Sequence, residues 1–227
     1  MYDIDFPACY QPVKSLRLTL VKIPFINNFR KYQNLIFVDV ETTGLDPIRD
    51  RVIEVGAVRV DKKMTVSTYS QLVNPGFKIP PVIRKLTGIR IKDLATAPSF
   101  AEVIKDLQAV FKADLFIAHN SKFDYDFLSE EFARFELELG IPHLDTIRLA
   151  RSYYPNYLTY NLDSIISRLK LPVQKRHRGL DDANVLWALF QKISSEFGED
   201  DLHKTIEKLV TIPKKRKFTS QTQRLLF

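Results

Sequence analysis

Asp39 and Glu41 stand two residues apart at the end of an apolar run, Leu35-Ile36-Phe37-Val38. The run is rich in strand formers, so residues 35–41 read as a buried β-strand. Alternation along a strand sends Asp39 and Glu41 to the same side. Two carboxylates on one face beside an apolar core are costly to keep ionised unless positive charge neutralises them, and a divalent metal ion is the usual solution. Two further acidic islands lie downstream, His119-Asn120-Ser121-Lys122-Phe123-Asp124 and His177-Arg178-Gly179-Leu180-Asp181-Asp182. Each falls where a strand ends or a helix begins, the places where ligand sites form in sheets covered by helices. Taken singly, Asp124 and Asp182 serve equally well as helix caps or dipole partners, and His177 as a surface histidine. Taken together, the three islands point to one shared polar site.

The elements that must position these groups follow from periodicity. Residues 35–41, 52–60 and 65–73 read as strands, the last two joined by the short turn Asp61-Lys62-Lys63. Ser99 with Glu102 three residues on forms a capping-box pattern that opens a helix to about residue 111. Leu115-Phe116-Ile117-Ala118 has strand length, and Phe123, Phe127, Phe132 and Phe135 give residues 123–139 helical spacing until Gly140 and Pro142. Helices are expected over 145–153, 162–169 and 181–196, with Asp181 as N-cap of the last. This order predicts an α/β architecture, a mixed sheet with helices on both faces. Residues 1–33, interrupted by Pro7, Pro12 and Pro24, read as an extension packed on a domain at 34–196, with a short helix near 27–32. Residues 197–227 turn polar and basic and read as a tail.

A chain of 227 residues can bury one full core. No uninterrupted apolar stretch approaches the roughly 18 residues that span a bilayer, and Asp3 and Asp5 stand where a secretory signal carries positive charge. Cys9 is the single cysteine, which rules out an internal disulfide or a cysteine-based zinc site and fits a cytoplasmic location. The net charge of +7 suits a polyanionic partner. Its clusters, Lys175-Arg176-His177-Arg178 and Lys214-Lys215-Arg216-Lys217, read either as solvated faces or as phosphate contacts.

The motif Asp39-x-Glu41-Thr42-Thr43-Gly44, the element His119-Asn120-x-x-Phe123-Asp124, and His177 followed five residues later by Asp182 resemble the three motifs of the DEDDh 3′–5′ exonucleases, the family of the proofreading epsilon subunits of bacterial DNA polymerase III. Asn74-Pro75-Gly76 and Leu86-Thr87-Gly88-Ile89 also match segments of that family, and the resemblance covers roughly residues 34–193. It implies a ribonuclease H-like fold with a mixed five-stranded sheet. It further implies that Asp39, Glu41, Asp124 and Asp182 hold two Mg²⁺ or Mn²⁺ ions, with Asp39 as the bridge, and that His177 is the general base. Hydrolysis of a phosphodiester brings water to an anion and stabilises the departing 3′ oxygen, which two ions about 3.5–4 Å apart can do. Hard cations prefer oxygen ligands, in keeping with four carboxylates, and an imidazole changes charge near neutral pH.

Substrate contacts follow from the same resemblance. The backbone around Thr42, Thr43, Gly44 and Leu45 is expected near the terminal nucleotide, with Leu45 as an apolar wedge. Thr87 stands where the proofreading subunit has a histidine that touches the nucleotide. His119 and Asn120 have two readings, a phosphate contact or the ordering of their own turn. Gly179 is expected to let the His177 loop move, and Asp126 to be a surface acid or the partner of a nearby base. The implied substrate is single-stranded DNA or a DNA 3′ end, with RNA as the alternative and a non-catalytic polymerase or clamp adaptor as a third reading. The terminal Gln223-Arg224-Leu225-Leu226-Phe227 fits the pattern of peptides that bind the bacterial sliding clamp, an extended segment that seats two apolar side chains in a groove.

Overall fold

The computed structural model of the chain describes residues 11–12 and 31–216. Most of the extension, and the Gln223–Phe227 segment with its clamp-like pattern, lie outside the described residues. In chain order the elements are β1 (Gln11–Pro12), β2 (Leu35–Thr42), β3 (Val52–Val60), β4 (Val66–Leu72), α1 (Pro81–Thr87), α2 (Ile91–Ala95), α3 (Phe100–Val110), β5 (Leu115–Ala118), α4 (Ser121–Ala133), β6 (His143–Asp145), α5 (Thr146–Tyr153), α6 (Leu162–Leu169), α7 (Gly179–Phe197) and α8 (Glu199–Leu209). The sheet order is β1-β4-β3-β2-β5-β6. The β2–β5 and β5–β6 pairs are parallel, and the pairs on the other side of β2 are antiparallel. Strands β2 to β6 make the expected mixed sheet, and the two-residue β1 extends its edge to six.

Period-two alternation gives β2 two fates. Leu35 and Phe37 pack on one face with the residues of α5 to α8, whereas Ile36, Val38 and Val40 pack on the other with those of α3 and α4. Phe37 meets Trp187 and Phe190 of α7 at ring-centroid distances of 5.3 and 5.4 Å. Both faces of the sheet are therefore covered, and all nine residues of β3 are buried. Two local devices form as the sequence dictates. Asp61 Oδ1 accepts the N–H groups of Lys63 and Thr65, both at 2.8 Å, in the β3–β4 turn. Ser99 N donates to Glu102 Oε2 at 2.7 Å to open α3.

Three boundaries differ from expectation. The helix expected to reach residue 139 ends at Ala133, followed by a turn in which Glu136 takes a left-handed φ of 58°. Asp181 is the third residue of α7, whose N-cap position is held by Arg178. Residues beyond 197 are not all tail. Leu202 and Ile206, one helical turn apart, are fully buried in α8, and Thr211 exchanges two 2.9 Å backbone hydrogen bonds with His143 of β6. The polar composition of this stretch hid an apolar stripe one residue wide. Among the described residues no helix is long and apolar enough to cross a membrane.

Candidate active site

The face of β2 that carries Leu35 and Phe37 into the core carries Asp39 and Glu41 to its carboxyl end, where the strand runs out beside β5. Asp39 pairs with Gly56 and Glu41 with Glu54 across the antiparallel ladder, and a bulge follows Glu41. Asp124 lies in the first turn of α4, and its Oδ1 accepts the backbone N–H of Val40 at 3.0 Å. Asp182 lies in the first turn of α7, and its Oδ2 accepts the N–H of His177 at 3.1 Å. All five expected catalytic positions line one cleft of about 330 Å³, together with His119, Asn120, Phe123, Asn161 and Arg176. The crevice sits outside the carboxyl ends of parallel strands, where open α/β sheets hold ligands.

Carboxylate oxygens of Asp39, Glu41 and Asp182 come within 4.8 Å of one another. Asp124 stands beside this trio with one oxygen committed to Val40. Burial raises the Asp39 carboxyl well above the ordinary range, and the charges of Asp124, Asp182 and Glu41 raise it further. Burial, with Glu54 and Asp182 nearby, pushes Glu41 to about 7, and burial pushes Asp124 to about 8. Asp182 is raised by burial and held back by Arg176. A set of converging oxygen donors that resists ionisation when metal-free fits a hard divalent cation, which neutralises the very charges that repel.

Strands and helix ends support the rest of the wall. Asn120 adopts a left-handed conformation before α4, its N–H donating to Asp145 Oδ1 at 3.0 Å, and His119 Nδ1 lies 2.9 Å from Thr146 Oγ1. Both residues thus order the turn and also face the cleft. His177 has φ 59°, a conformation uncommon for a residue with a side chain and stored most often at functional sites.

The other expected positions lie outside the lining of the cleft. The Thr87 side chain is 2% exposed, its hydroxyl donates to Ile83 O at 3.0 Å and accepts from Ile89 N at 3.1 Å, and it does not line the cleft. Thr42 ends β2, and Thr43, Gly44 and Leu45 follow in a loop braced by Asp50, outside the cleft lining. Thr42 Oγ1 donates to Gly44 O at 2.6 Å, and Thr43 Oγ1 to Asp50 Oδ1 at 3.1 Å, while Leu45 is 84% exposed. Gly179 is not a source of loop freedom. It is buried at the start of α7, and a Cβ there would come within 2.8 Å of Gly56 N and 2.9 Å of Asp39 O, so its role is close packing of helix on sheet. Asp126 pairs with Lys122, as expected of a surface acid.

The sequence reading missed Glu54, Asp163 and the separate duties of Arg176 and Arg178. Glu54 is 1% exposed and takes a forked contact from Arg178, at 3.1 Å from Nε and 2.8 Å from Nη2, which ties the His177 loop to β3. The basic run at 175–178 signalled charge, but not that Arg176 and Arg178 turn to two different acids.

The sheet order and the acid-lined crevice beside β2 are those of a ribonuclease H-like fold with a site suited to hard cations. Its architecture matches E. coli Exonuclease I in complex with an oligonucleotide, with a TM-score of 0.66 at 16% identity over 78% of this chain and 43% of that one. The chain belongs to the RNase_T exonuclease family, which matches residues 36–190. It is 31% identical to the DNA polymerase III subunit epsilon of Treponema pallidum, over 80% of this chain and 90% of that protein. It is 34% identical to the PolC-type DNA polymerase III of Thermotoga petrophila, over 83% of this chain but 14% of that much longer protein. Among solved structures, Exonuclease X in complex with 5′ overhanging duplex DNA is 26% identical, with a TM-score of 0.60 over 75% of this chain and 98% of that one.

Proposed function

We propose that the chain is a cytoplasmic, metal-dependent 3′–5′ exonuclease that releases 5′-mononucleotides from DNA 3′ ends during proofreading or repair. The observation that carries this reading is the convergence of Asp39, Glu41 and Asp182, with Asp124 and His177 in the same cleft. Asp39, Glu41, Asp124 and Asp182 would hold two Mg²⁺ or Mn²⁺ ions. When bound, such ions supply positive charge to the attacking water and to the departing 3′ oxygen. His177 takes a proton from that water as its oxygen attacks phosphorus, and the bond from phosphorus to the 3′ oxygen breaks. The Arg178–Glu54 pair and the Asp182 contact to His177 N hold this histidine's backbone in place. Thr42, Thr43, Gly44 and Leu45 follow directly on Asp39 and Glu41 in the chain, and the exposure of Leu45 supports a contact with the terminal nucleotide. Similarity to an epsilon subunit supports a polymerase partner, and the pattern of the last five residues supports a sliding-clamp contact.

The test uses 3′- and 5′-labelled single-stranded DNA, recessed duplex DNA and RNA of matched sequence, each with Mg²⁺, Mn²⁺ or chelator. DNA should lose mononucleotides from its 3′ end with either ion and not with chelator. Asp39→Asn should lower the rate by roughly a thousandfold or more, and His177→Gln by roughly 10²- to 10⁴-fold. Wild-type rates in Asp39→Asn would sink the reading, and faster loss of RNA would reassign the substrate.

A further inference from the structure

Arg176 enters the cleft without a part in the nuclease reading. Its Nε donates to Asp163 Oδ1 at 2.6 Å, and its Nη1 forms an ion pair with Asp182 Oδ1. The two anchors differ. Asp163, on α6, has a side chain 67% exposed and belongs to the rim, whereas the Asp182 side chain is 5% exposed and belongs to the acidic trio. Both oxygens of Asp182 are thereby engaged without a metal, Oδ1 by the guanidinium and Oδ2 by the backbone N–H of His177. Each oxygen keeps a second lone pair for a cation, but a guanidinium charge beside Oδ1 repels an incoming divalent ion, so this ion pair is the contact that metal binding works against. The His177 N–H is part of a backbone tied down through Arg178 and Glu54. The guanidinium ends a flexible stem and has a second partner to retain it.

The charge of Arg176 also reaches past its direct partner. Arg176 lines the same cleft as Asp39 and Glu41, whose oxygens come within 4.8 Å of an Asp182 oxygen. A monovalent cation carried by the chain therefore stands beside three of the four acids that would take divalent ions. A guanidinium and a hard cation beside the same carboxylate repel each other, so the binding of one opposes that of the other.

We propose that Arg176 is the resident counter-ion of the metal-free site, displaced from Asp182 by divalent cations and retained at the cleft rim by Asp163. This rests on the metal-dependent reading above. In the metal-free state Arg176 keeps the acids from repelling one another apart, and it lowers metal affinity in return.

Calorimetry with Mn²⁺ on the full chain, with thermal melting in chelator, tests it in wild type, Arg176→Gln and Arg176→Lys. Arg176→Gln should bind Mn²⁺ about tenfold more tightly and melt at a lower temperature without metal, with Arg176→Lys between the two. Equal or weaker Mn²⁺ affinity in a folded Arg176→Gln would overturn the proposal. If that variant does not fold, the Arg176 Nη–H resonances of the wild type, which report the contact to Asp182, give the answer. They should move as Mg²⁺ is added, and Nη–H resonances unmoved at saturation would also overturn the proposal. Absence of Mn²⁺ uptake by the wild type would remove the metal reading itself, and the counter-ion with it.

Discussion

Asp124 is 3% exposed, and burial pushes its carboxyl to about 8 even though the Val40 N–H pulls it down. Glu41 reaches about 7, and Asp39 is also well above its ordinary range. Carboxyls raised in the folded state favour folding while protonated. Their contribution is present below the ordinary carboxylate pKa, near pH 4, and is lost as pH rises through about 7 to 8. The metal-free protein is therefore expected to melt at steadily lower temperature from pH 5 to pH 8.5 in chelator. Asp124→Asn keeps an oxygen for Val40 and removes the charge, so it should flatten that slope and raise the pH 8 melting temperature by roughly 5 °C. With Mg²⁺ present the wild type should recover more than the variant. A wild-type melting temperature that climbs with pH in chelator would contradict the account.

The elements meet most closely where α7 crosses β2 and β3. Gly56 pairs with Asp39 in the ladder, and a Cβ on Gly56 would lie 1.9 Å from the Gly179 carbonyl carbon and 2.0 Å from Leu180 N. No rotamer relieves a clash between backbones, so the N-terminus of α7 would have to lift from the sheet. That end carries Asp182 and the His177 loop, and their distance from Asp39 would grow with it. Gly56→Ala is expected to lose roughly 3 kcal/mol or more of stability. Nuclease activity should fall even under conditions where the variant remains folded. Urea unfolding followed by fluorescence of Trp187, which packs on Phe37, reads the first effect. A wild-type midpoint and rate together would show that the contact is looser than described.

At the scale of the molecule, α8 and Thr211 bind the C-terminal stretch to β6, the edge strand whose Asp145 supports the His119–Asn120 turn. Arg216 continues the contact through an ion pair with Glu130 of α4 at 2.8 Å. Arg216, the last described residue, is thereby held beside α4. A peptide of residues 210–227 should bind a bacterial sliding clamp with micromolar affinity, and replacement of Leu226 and Phe227 by Ala should abolish it. Binding undetectable at high micromolar concentration would remove that partner.

Local rules made much of this legible before any coordinates. The common face of Asp39 and Glu41, the β3–β4 hairpin, the Ser99–Glu102 box and the helix over 181–196 each depend on residues close in the chain, and the chain states them directly. Spacing within the three acidic islands likewise marked the residues that line the cleft. What residues distant in the chain do to one another was decided only by packing. Arg178 finds Glu54 across 124 positions, Gly56 and Gly179 are small because two backbones touch there, and Thr87 spends its hydroxyl on its own helix end rather than facing the cleft. Periodicity is a property of local backbone geometry. Which acid a given arginine neutralises, and which glycine serves contact instead of motion, depends on distances that exist only after the sheet and its helices have closed on each other.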